Sequence, residues 1–262
     1  MLLAIDVGNT NTTFAVFDGQ RLAADWRIGT VARRTEDEYS VMLSGLFQRD
    51  GLTLDRIDGV AISSVVPAAI SPLIKFAQAQ LHVENPLVLS AGEDAGIEVR
   101  YFPKSDVGAD RLANAVAAHA LYGGPVIVVD FGTATTFDAI GGDGTYLGGA
   151  IAPGIETSVE ALAARAAQLR RVQYVRPRSA VATTTVESLQ SGVVFGFAGQ
   201  VDGMVERFRE EIGKEAHVVA TGGLAELIAS ESKTIQEVNP LLTLQGLRLV
   251  WERKTRPVQS EK

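Results

Sequence analysis

The chain opens with short apolar runs that are separated by polar turns. Three such runs follow one another at residues 2–8, 12–18 and 21–29. A short apolar run bounded by turn residues is typical of a strand, and short connections favour antiparallel neighbours. This stretch therefore predicts a three-stranded antiparallel sheet.

Helical spacing replaces the strand pattern after this sheet. Thr35 and Glu38 stand at the spacing of a capping box, and apolar residues then recur on one helical face. A strand is expected at residues 59–65, a helix at 68–81 and a further strand at 86–90. The predicted order is β-β-β-α-β-α-β.

A second series of the same kind begins near residue 125. "PVIVVDFGTATTFDAI" predicts a strand, a polar turn and a strand, and "GTYLGGAIAPG" predicts a third strand. Helices are expected at about 155–168 and 185–212, then a strand at 217–220 and a helix from Leu224. The second half of the chain therefore again starts with three strands, followed by two helices, a strand and a helix.

The two series also share a short sequence motif. "IDVGNTNTTF" and "VDFGTATTF" both have Asp-x-Gly at a strand end and Thr-Thr-Phe at the start of the next strand. Asp6 and Asp130 lie 124 positions apart, close to half of the chain. We interpret this as an internal duplication that predicts two β-β-β-α-β-α units facing each other across a cleft. Coincidence between two unrelated hairpins is the alternative.

Composition narrows the classes of function. The net charge of −7 argues against a general nucleic-acid binder, which needs basic surface to displace counterions. The absence of Cys excludes disulfides and thiolate chemistry and fits a reducing cytoplasm. No apolar stretch reaches the ~18 residues of a membrane span, and the first residues do not have the pattern of a signal peptide. Residues 253–262 are expected to be a solvated tail.

The turn after the first strand carries candidate chemistry. Gly8 lets the backbone approach a ligand, and the Asn and Thr residues after it offer donors to phosphate oxygens. Asp6 would repel a phosphate directly, but it becomes useful when a cation such as Mg²⁺ lies between them. Asp130 and the threonines after it repeat this design. The alternative is that Asp6 and Asn9 are only turn formers, since Asp and Asn favour turns.

Two familiar nucleotide motifs are absent, because neither GxxxxGK[ST] nor GxGxxG occurs in the chain. A P-loop NTPase and a Rossmann dehydrogenase are therefore disfavoured.

The segment "KSDVGADRLANAVAAH" is a candidate acceptor site. It places Asp110 and Arg111 in the first turn of a predicted helix. A carboxylate there gains from the helix dipole, which is a purely structural reason for Asp110. In the functional alternative, Asp110 takes the proton of a hydroxyl while Arg111 binds a carboxylate. Thr185 opens the longest predicted helix, where free backbone N–H groups suit an acidic ligand group.

Taken together, these motifs resemble those of type III pantothenate kinases. The shared motifs are "DVGNTN", "VGADR", "DFGTATT", "GGAIAPG", "TVESLQSG" and "TGG", which occur in the order of that family between residue 2 and about residue 228. The resemblance implies an α/β fold of the acetate-kinase/actin/Hsp70-like class, with duplicated ribonuclease-H/actin-like domains facing across a nucleotide cleft. The expected domains are residues 1–115 and 116–252, followed by the tail.

The resemblance also implies a reaction: ATP-dependent phosphorylation of the terminal hydroxyl of pantothenate to 4'-phosphopantothenate, the first step of coenzyme A biosynthesis. The family likeness further implies a homodimer, while the composition predicts a cytoplasmic protein with no nucleic-acid or membrane partner. ATP would be used with Mg²⁺, Asp130 would bind a monovalent cation, K⁺ or NH₄⁺, and Asp110 would accept the proton. The residues implied for the ATP phosphates are Asp6, Val7, Gly8, Asn9, Thr10, Asn11, Thr12, Thr13 and Thr133. Those implied for pantothenate are Tyr101, Gly108, Ala109, Asp110, Arg111 and Thr185.

Two other functions stay open at this point. One is another kinase, or a polyphosphate hydrolase, of the same fold. A hydrolase needs a positioned water rather than an acceptor pocket that contains "GADR". The other is a catalytically silent nucleotide-binding regulator, but an inert member should have lost Asp6 or Asp110, and the chain has both.

Overall fold

A computed structural model describes residues 1–90, 95–166 and 172–255. The chain forms two compact units, and each is described by itself below. Unit 1 contains Met1–Ile97, Tyr101–Ala117 and the segment that begins at Thr243, and unit 2 contains Glu98–Arg100 and Ala118–Leu242. The last described helix thus belongs to unit 1, and the domain boundary between residues 115 and 116 stays a prediction.

The described residues contain ten strands and seven α-helices. In chain order these are β1 (Leu2–Val7), β2 (Asn11–Asp18), β3 (Arg21–Gly29), α1 (Glu36–Arg49), β4 (Gly59–Ser64), α2 (Pro67–Gln80), β5 (Leu87–Leu89), α3 (Ala109–Tyr122), β6 (Val126–Phe131), β7 (Ala134–Ile140), β8 (Tyr146–Pro153), α4 (Ile155–Arg165), α5 (Thr185–Ile212), β9 (His217–Gly222), α6 (Ala225–Ala229), β10 (Glu237–Val238) and α7 (Leu242–Thr255). Short 3₁₀ helices lie at Leu54–Arg56 and Lys104–Asp106.

The two units have the same sheet topology. Unit 1 has the strand order β3-β2-β1-β4-β5, and unit 2 has the order β8-β7-β6-β9-β10. In each sheet the first three strands pair antiparallel, the fourth pairs parallel with the central strand, and the fifth pairs parallel with the fourth. The predicted duplication is confirmed, with the difference that unit 2 has two helices, α4 and α5, between its third and fourth strands where unit 1 has α1.

One face of the first sheet packs on helices α1 and α2. Leu3, Ile5 and Val7 alternate along β1 onto this face, as the period of a strand requires, and are fully buried. Helix α1 begins where the capping box predicts, because the Glu38 backbone N–H donates to the Thr35 hydroxyl and the Glu38 carboxylate accepts from the Thr35 N–H. The capping box therefore sets the start of α1, and the amphipathic pattern sets its buried face.

Helices α3 and α7 pack together in unit 1 with close backbone approach. A Cβ on Gly246 of α7 would lie 2.0 Å from the carbonyl oxygen of Ala113 in α3. A Cβ on Gly59 of β4 would lie 2.4 Å from the ring of Trp251 in α7. These two glycines let α7 lie directly against α3 and the sheet.

The core of unit 2 is formed by the second sheet with α4 and α5. Buried residues of β6 and β7 contact Val159 of α4 and Val201 and Val205 of α5. The only carboxylate fully buried among the described residues is Asp138, which accepts a hydrogen bond of 2.7 Å from the Tyr146 hydroxyl. This bond, together with one of 3.3 Å from the Thr136 hydroxyl, offsets part of the cost of removing Asp138 from water.

Some predicted segments end differently or extend beyond the described residues. Helix α4 ends at Arg165, and residues 167–168 of the helix predicted there lie outside the described residues. Helix α7 includes the first residues of the expected tail 253–262, of which residues 256–262 lie outside the described part. No described helix is both long and apolar enough to cross a membrane.

The substitution Gly246→Ala tests the close packing of α3 and α7. We expect the free energy of unfolding to fall by about 2–3 kcal/mol, because the added methyl group meets backbone that cannot rotate away. The control is Gly45→Ala, on an exposed face of α1 where a Cβ has no heavy atom within 4 Å among the described residues. That change should stabilise the protein by about 0.5–1 kcal/mol. Urea unfolding of both variants gives the comparison, and an unchanged Gly246→Ala midpoint would contradict the packing.

Candidate active site

The turn between β1 and β2 is tight and polar. The Gly8 N–H donates to the Asn11 carbonyl over 2.9 Å, and a Cβ on Gly8 would lie 3.0 Å from the same oxygen. Asn9, Thr10 and Asn11 are exposed. The turn therefore presents amide and hydroxyl groups to solvent while Gly8 lets the backbone close.

Thr30, the residue after β3, supports this turn, although sequence patterns gave no sign of it. Its N–H donates to the Thr10 carbonyl over 2.9 Å, and its hydroxyl donates to the Gly8 carbonyl over 2.8 Å. The Thr12 hydroxyl lies 2.9 Å from the Thr30 hydroxyl. Because the single Thr30 proton is used on Gly8, Thr12 donates to Thr30. The buried Thr12 side chain thus maintains the shape of the turn.

Asp6 lies between two hydroxyl residues in the sheet. Its register partners are Thr13 on β2 and Ser63 on β4. Side chains at paired positions lie on the same face of a sheet, so these three side chains share one face. A carboxylate oxygen is a hard donor of the kind that Mg²⁺ prefers, so Asp6 fits this ion.

The corresponding turn in unit 2 is shorter but is held in the same way. The Gly132 N–H donates to the Ala134 carbonyl over 3.0 Å, and Thr133 is exposed. The residue after β8, Gly154, donates its N–H to the Thr133 carbonyl over 3.1 Å, as Thr30 does to Thr10 in unit 1. The Thr157 hydroxyl adds a second bond to the Thr133 carbonyl, of 2.8 Å.

Two oxygens converge beside Gly222 at the end of β9. Gly222 has a φ of +94°, and a Cβ there would lie 2.6 Å from the Phe131 carbonyl oxygen and 2.7 Å from Asp130 Oδ1. Carboxylate and carbonyl oxygens suit hard cations, so this arrangement fits a monovalent cation at Asp130. No group of three or more His, Asp or Glu in the described part of the chain could hold a metal ion. Backbone, phosphate or water oxygens would therefore complete either cation site.

Asp110 is held at the start of α3 by its neighbours. The Arg111 N–H donates to Asp110 Oδ1 over 2.8 Å. A Cβ on Gly108 would lie 2.5 Å from the same oxygen, so a larger residue would require the carboxylate to move. Glycine at this position therefore suits the observed orientation of Asp110.

Burial raises the pKa of the Asp110 carboxyl above its ordinary value. The backbone N–H and the charge of Arg111 act in the opposite direction, but the loss of water contacts is the larger effect. Arg111 itself is 7% exposed. A carboxylate with a raised pKa is a stronger proton acceptor, which is the property that a general base requires.

The remaining predicted site residues are distributed over both units. In unit 1, Tyr101 is half-buried, Ala109 is buried as the first residue of α3, and Val7 is buried with its carbonyl accepting from the Val65 N–H. In unit 2, Thr185 is exposed as the first residue of α5, directly after the capping residue Thr184. The structure thus brings together Gly108, Asp110 and Arg111 in unit 1, while Thr185 and Thr133 belong to unit 2.

The duplicated sheets and their polar turns define an actin-like fold. The activator of 2-hydroxyisocaproyl-CoA dehydratase from Clostridium difficile, solved with bound ADPNP, is similar with a TM-score of 0.54 and 13% identity, covering 99% of each chain. The ROK hexokinase from Thermus thermophilus has a TM-score of 0.52 at 15% identity, covering 95% of this chain and 97% of its own. These likenesses show the fold class.

The sequence comparisons show the family. The family model for type III pantothenate kinase matches residues 2–207. The type III pantothenate kinase of Moorella thermoacetica is 51% identical over 255 residues, which cover 97% of this chain and 100% of the relative. The chain belongs to the type III pantothenate kinase family, whose enzymes act in coenzyme A biosynthesis.

The substitution Asp110→Asn tests the raised pKa through stability. The folded protein holds the Asp110 proton more tightly than the unfolded chain does. The contribution of Asp110 to stability is therefore fully present below the unfolded pKa of about 3.9 and is lost as the pH rises through the folded pKa. The amide keeps an acceptor for the Arg111 N–H but has no charge to desolvate.

We therefore expect Asp110→Asn to have a higher Tm than the wild type at pH 8 and a matching Tm near pH 4. Thermal unfolding of both proteins across this pH range measures the difference. A variant that is less stable than the wild type at pH 8 would show that Asp110 is stabilised in its charged form.

Proposed function

We propose that this enzyme transfers the terminal phosphoryl group of ATP to the terminal hydroxyl of pantothenate, which gives 4'-phosphopantothenate. The observation that carries the proposal is the Asp110 carboxylate, which is held against Gly108 at the start of α3 and made more basic by burial. Membership of the type III pantothenate kinase family supports the choice of substrate. We further propose that the enzyme acts in the cytoplasm, a reducing compartment that a chain without Cys fits.

In this proposal Asp110 orients the acceptor hydroxyl and takes its proton. Phosphoryl transfer passes through a loose transition state, so the alcohol need not be deprotonated early, and Asp110 accepts the proton late. Arg111 pairs with the pantothenate carboxylate, for which a planar guanidinium is well suited. Tyr101, Gly108 and Ala109 complete the acceptor site, and Thr185 adds a contact at the start of α5.

The turn at residues 6–13 binds the ATP phosphates through exposed amide and hydroxyl groups, with Thr133 as a further contact. Within it, Thr12 and Val7 act by maintaining the turn rather than by presenting their buried side chains. Mg²⁺ at Asp6 and K⁺ or NH₄⁺ at Asp130 would neutralise phosphate charge. Catalysis then rests on positioning and on charge neutralisation.

We also propose that the enzyme is a homodimer, as its family likeness implies. Helix α5 has a row of glycines at Gly192, Gly196, Gly199 and Gly203. A Cβ on any of them has no heavy atom within 4 Å among the described residues. This face of α5 leaves room for a second helix to approach closely.

A coupled assay with ATP, Mg²⁺, K⁺ and pantothenate tests the reaction, and Asp110→Asn tests the mechanism. We expect kcat to fall by about 10²-fold or more in this variant, because it loses the proton acceptor. Asp106→Asn is the matched control, since Asp106 is an exposed carboxylate in the preceding 3₁₀ helix and should keep its activity. Near wild-type turnover in Asp110→Asn would remove Asp110 from the mechanism. ATP hydrolysis without pantothenate would instead favour a hydrolase, and ATP binding without turnover would favour a silent regulator.

Replacement of K⁺ by Na⁺ tests the cation site at Asp130. We expect lower activity in Na⁺, because the smaller ion does not satisfy oxygens that are arranged for a larger one. The variant Asp130→Asn should lose most of the difference between the two salts, whatever activity it retains. Steady-state rates at equal ionic strength measure this response. Equal wild-type activity in both salts would count against the assignment of Asp130.

A further inference from the structure

Ser63 on β4 is a buried polar residue that the proposed mechanism does not use. Its side chain is 0% exposed, and its hydroxyl has no hydrogen-bond partner among the described residues. A buried hydroxyl without a partner destabilises a protein, so such a group calls for an explanation. An apolar residue at this position would avoid that penalty.

The sheet register shows which group Ser63 can reach. Its partner on β1 is Asp6, and its partner on β5 is Leu89. Leu89 offers no side-chain acceptor, so Asp6 is the polar neighbour of Ser63 in this row of the sheet. Adjacent strands lie about 4.8 Å apart, which a rotation of the carboxylate and the hydroxyl can bridge.

The same row of side chains occurs in the second unit. Asp130 has Thr136 and Thr221 as its register partners, just as Asp6 has Thr13 and Ser63. Thr221 is 2% exposed and occupies the position that Ser63 has in the first unit. A carboxylate between two hydroxyl residues is therefore a feature of both sheets.

We propose that Ser63 is a positioning residue, which donates a hydrogen bond to the Asp6 carboxylate when Mg·ATP binds. The bond fixes the carboxylate in the orientation that serves the cation, in the way that groups behind metal ligands generally do. The Ser63 hydroxyl, which has no hydrogen-bond partner among the described residues, is then the donor available for this bond. This inference rests on the proposed use of ATP and Mg²⁺ at the turn between β1 and β2.

The variants Ser63→Ala and Ser64→Ala separate this role from a structural one. The Ser64 hydroxyl is partnered, because it donates to the Val66 carbonyl over 2.9 Å and accepts from the Val66 N–H over 3.0 Å. Ser64→Ala should therefore lower Tm and leave Mg·ATP binding unchanged. Ser63→Ala should raise or keep Tm without ligand, and should weaken Mg·ATP binding about tenfold.

The measurements are the Tm without ligand, the shift in Tm caused by Mg·ATP, and the Kd for ATP at several Mg²⁺ concentrations, all without pantothenate. A double-mutant cycle with Asp6→Asn shows whether Ser63 acts through Asp6. We expect Ser63→Ala to have no further effect on Kd in the Asp6→Asn background. Should Ser63→Ala not fold, Ser63→Thr keeps the hydroxyl and should bind Mg·ATP within about threefold of the wild type.

The outcomes distinguish this inference from the proposed function. If the wild type binds Mg·ATP and phosphorylates pantothenate while Ser63→Ala has an unchanged Kd, the inference about Ser63 is overturned and the proposed function stands. An effect of Ser63→Ala that persists in full in the Asp6→Asn background also overturns it. If the wild type does not bind Mg·ATP, the proposed function and the inference about Ser63 are both wrong.

Discussion

The need to place a carboxylate at the end of a central, otherwise apolar strand is the constraint on which the rest of the structure depends. Asp6 and Asp130 each follow buried residues on a strand that has neighbours on both sides. A charge at this position requires hydrogen bonds or water, because burial without them is unfavourable. In both units the strand ends directly after the carboxylate in a turn of small polar residues, and hydroxyl residues lie beside it. The polar turn and the hydroxyl residues thus give the carboxylate the polar surroundings that its charge requires.

At Asp110, the property that suits the proposed function lowers the stability of the folded protein. Its pKa is raised because the loss of water outweighs the help from Arg111. A carboxylate of this kind opposes folding at neutral pH, and sequences selected for stability alone have no reason to keep it. Gly108 carries a similar penalty, since glycine is conformationally free in the unfolded chain, and a Cβ here would lie 2.5 Å from Asp110 Oδ1. Both residues fit the acceptor role proposed for this segment.

The local parts of this structure could be predicted from the sequence, and the long-range parts could not. The Thr35–Glu38 capping box and the repeated Asp-x-Gly turns depend on residues close together in the chain, and the structure has both. Thr30 supports the first turn from the end of a different strand, so no short motif points to it. The return of α7 to unit 1 depends on the contact of Gly246 with Ala113, which lies far away in sequence. The sequence around Ser63 is that of an ordinary strand, and only the pairing of β1 with β4 shows that Ser63 lies beside Asp6.

The two turns show what the duplication has kept and what it has changed. In both units the residue after the third strand donates its N–H to the carbonyl of the last turn residue, Thr10 or Thr133. In the first unit that residue is Thr30, whose hydroxyl also bonds to the turn. In the second unit it is Gly154, where a Cβ would lie 2.4 Å from the turn carbonyls, and Thr157 supplies the hydroxyl instead.

The backbone bond is therefore the shared element, and the side chains around it have diverged. Such divergence is expected when two copies of one turn come to hold different groups. The longer turn, with Asn9, Thr10 and Asn11 exposed, fits the phosphate binding proposed for it. The shorter turn lies beside Gly222, where two oxygens converge, and it suits a cation.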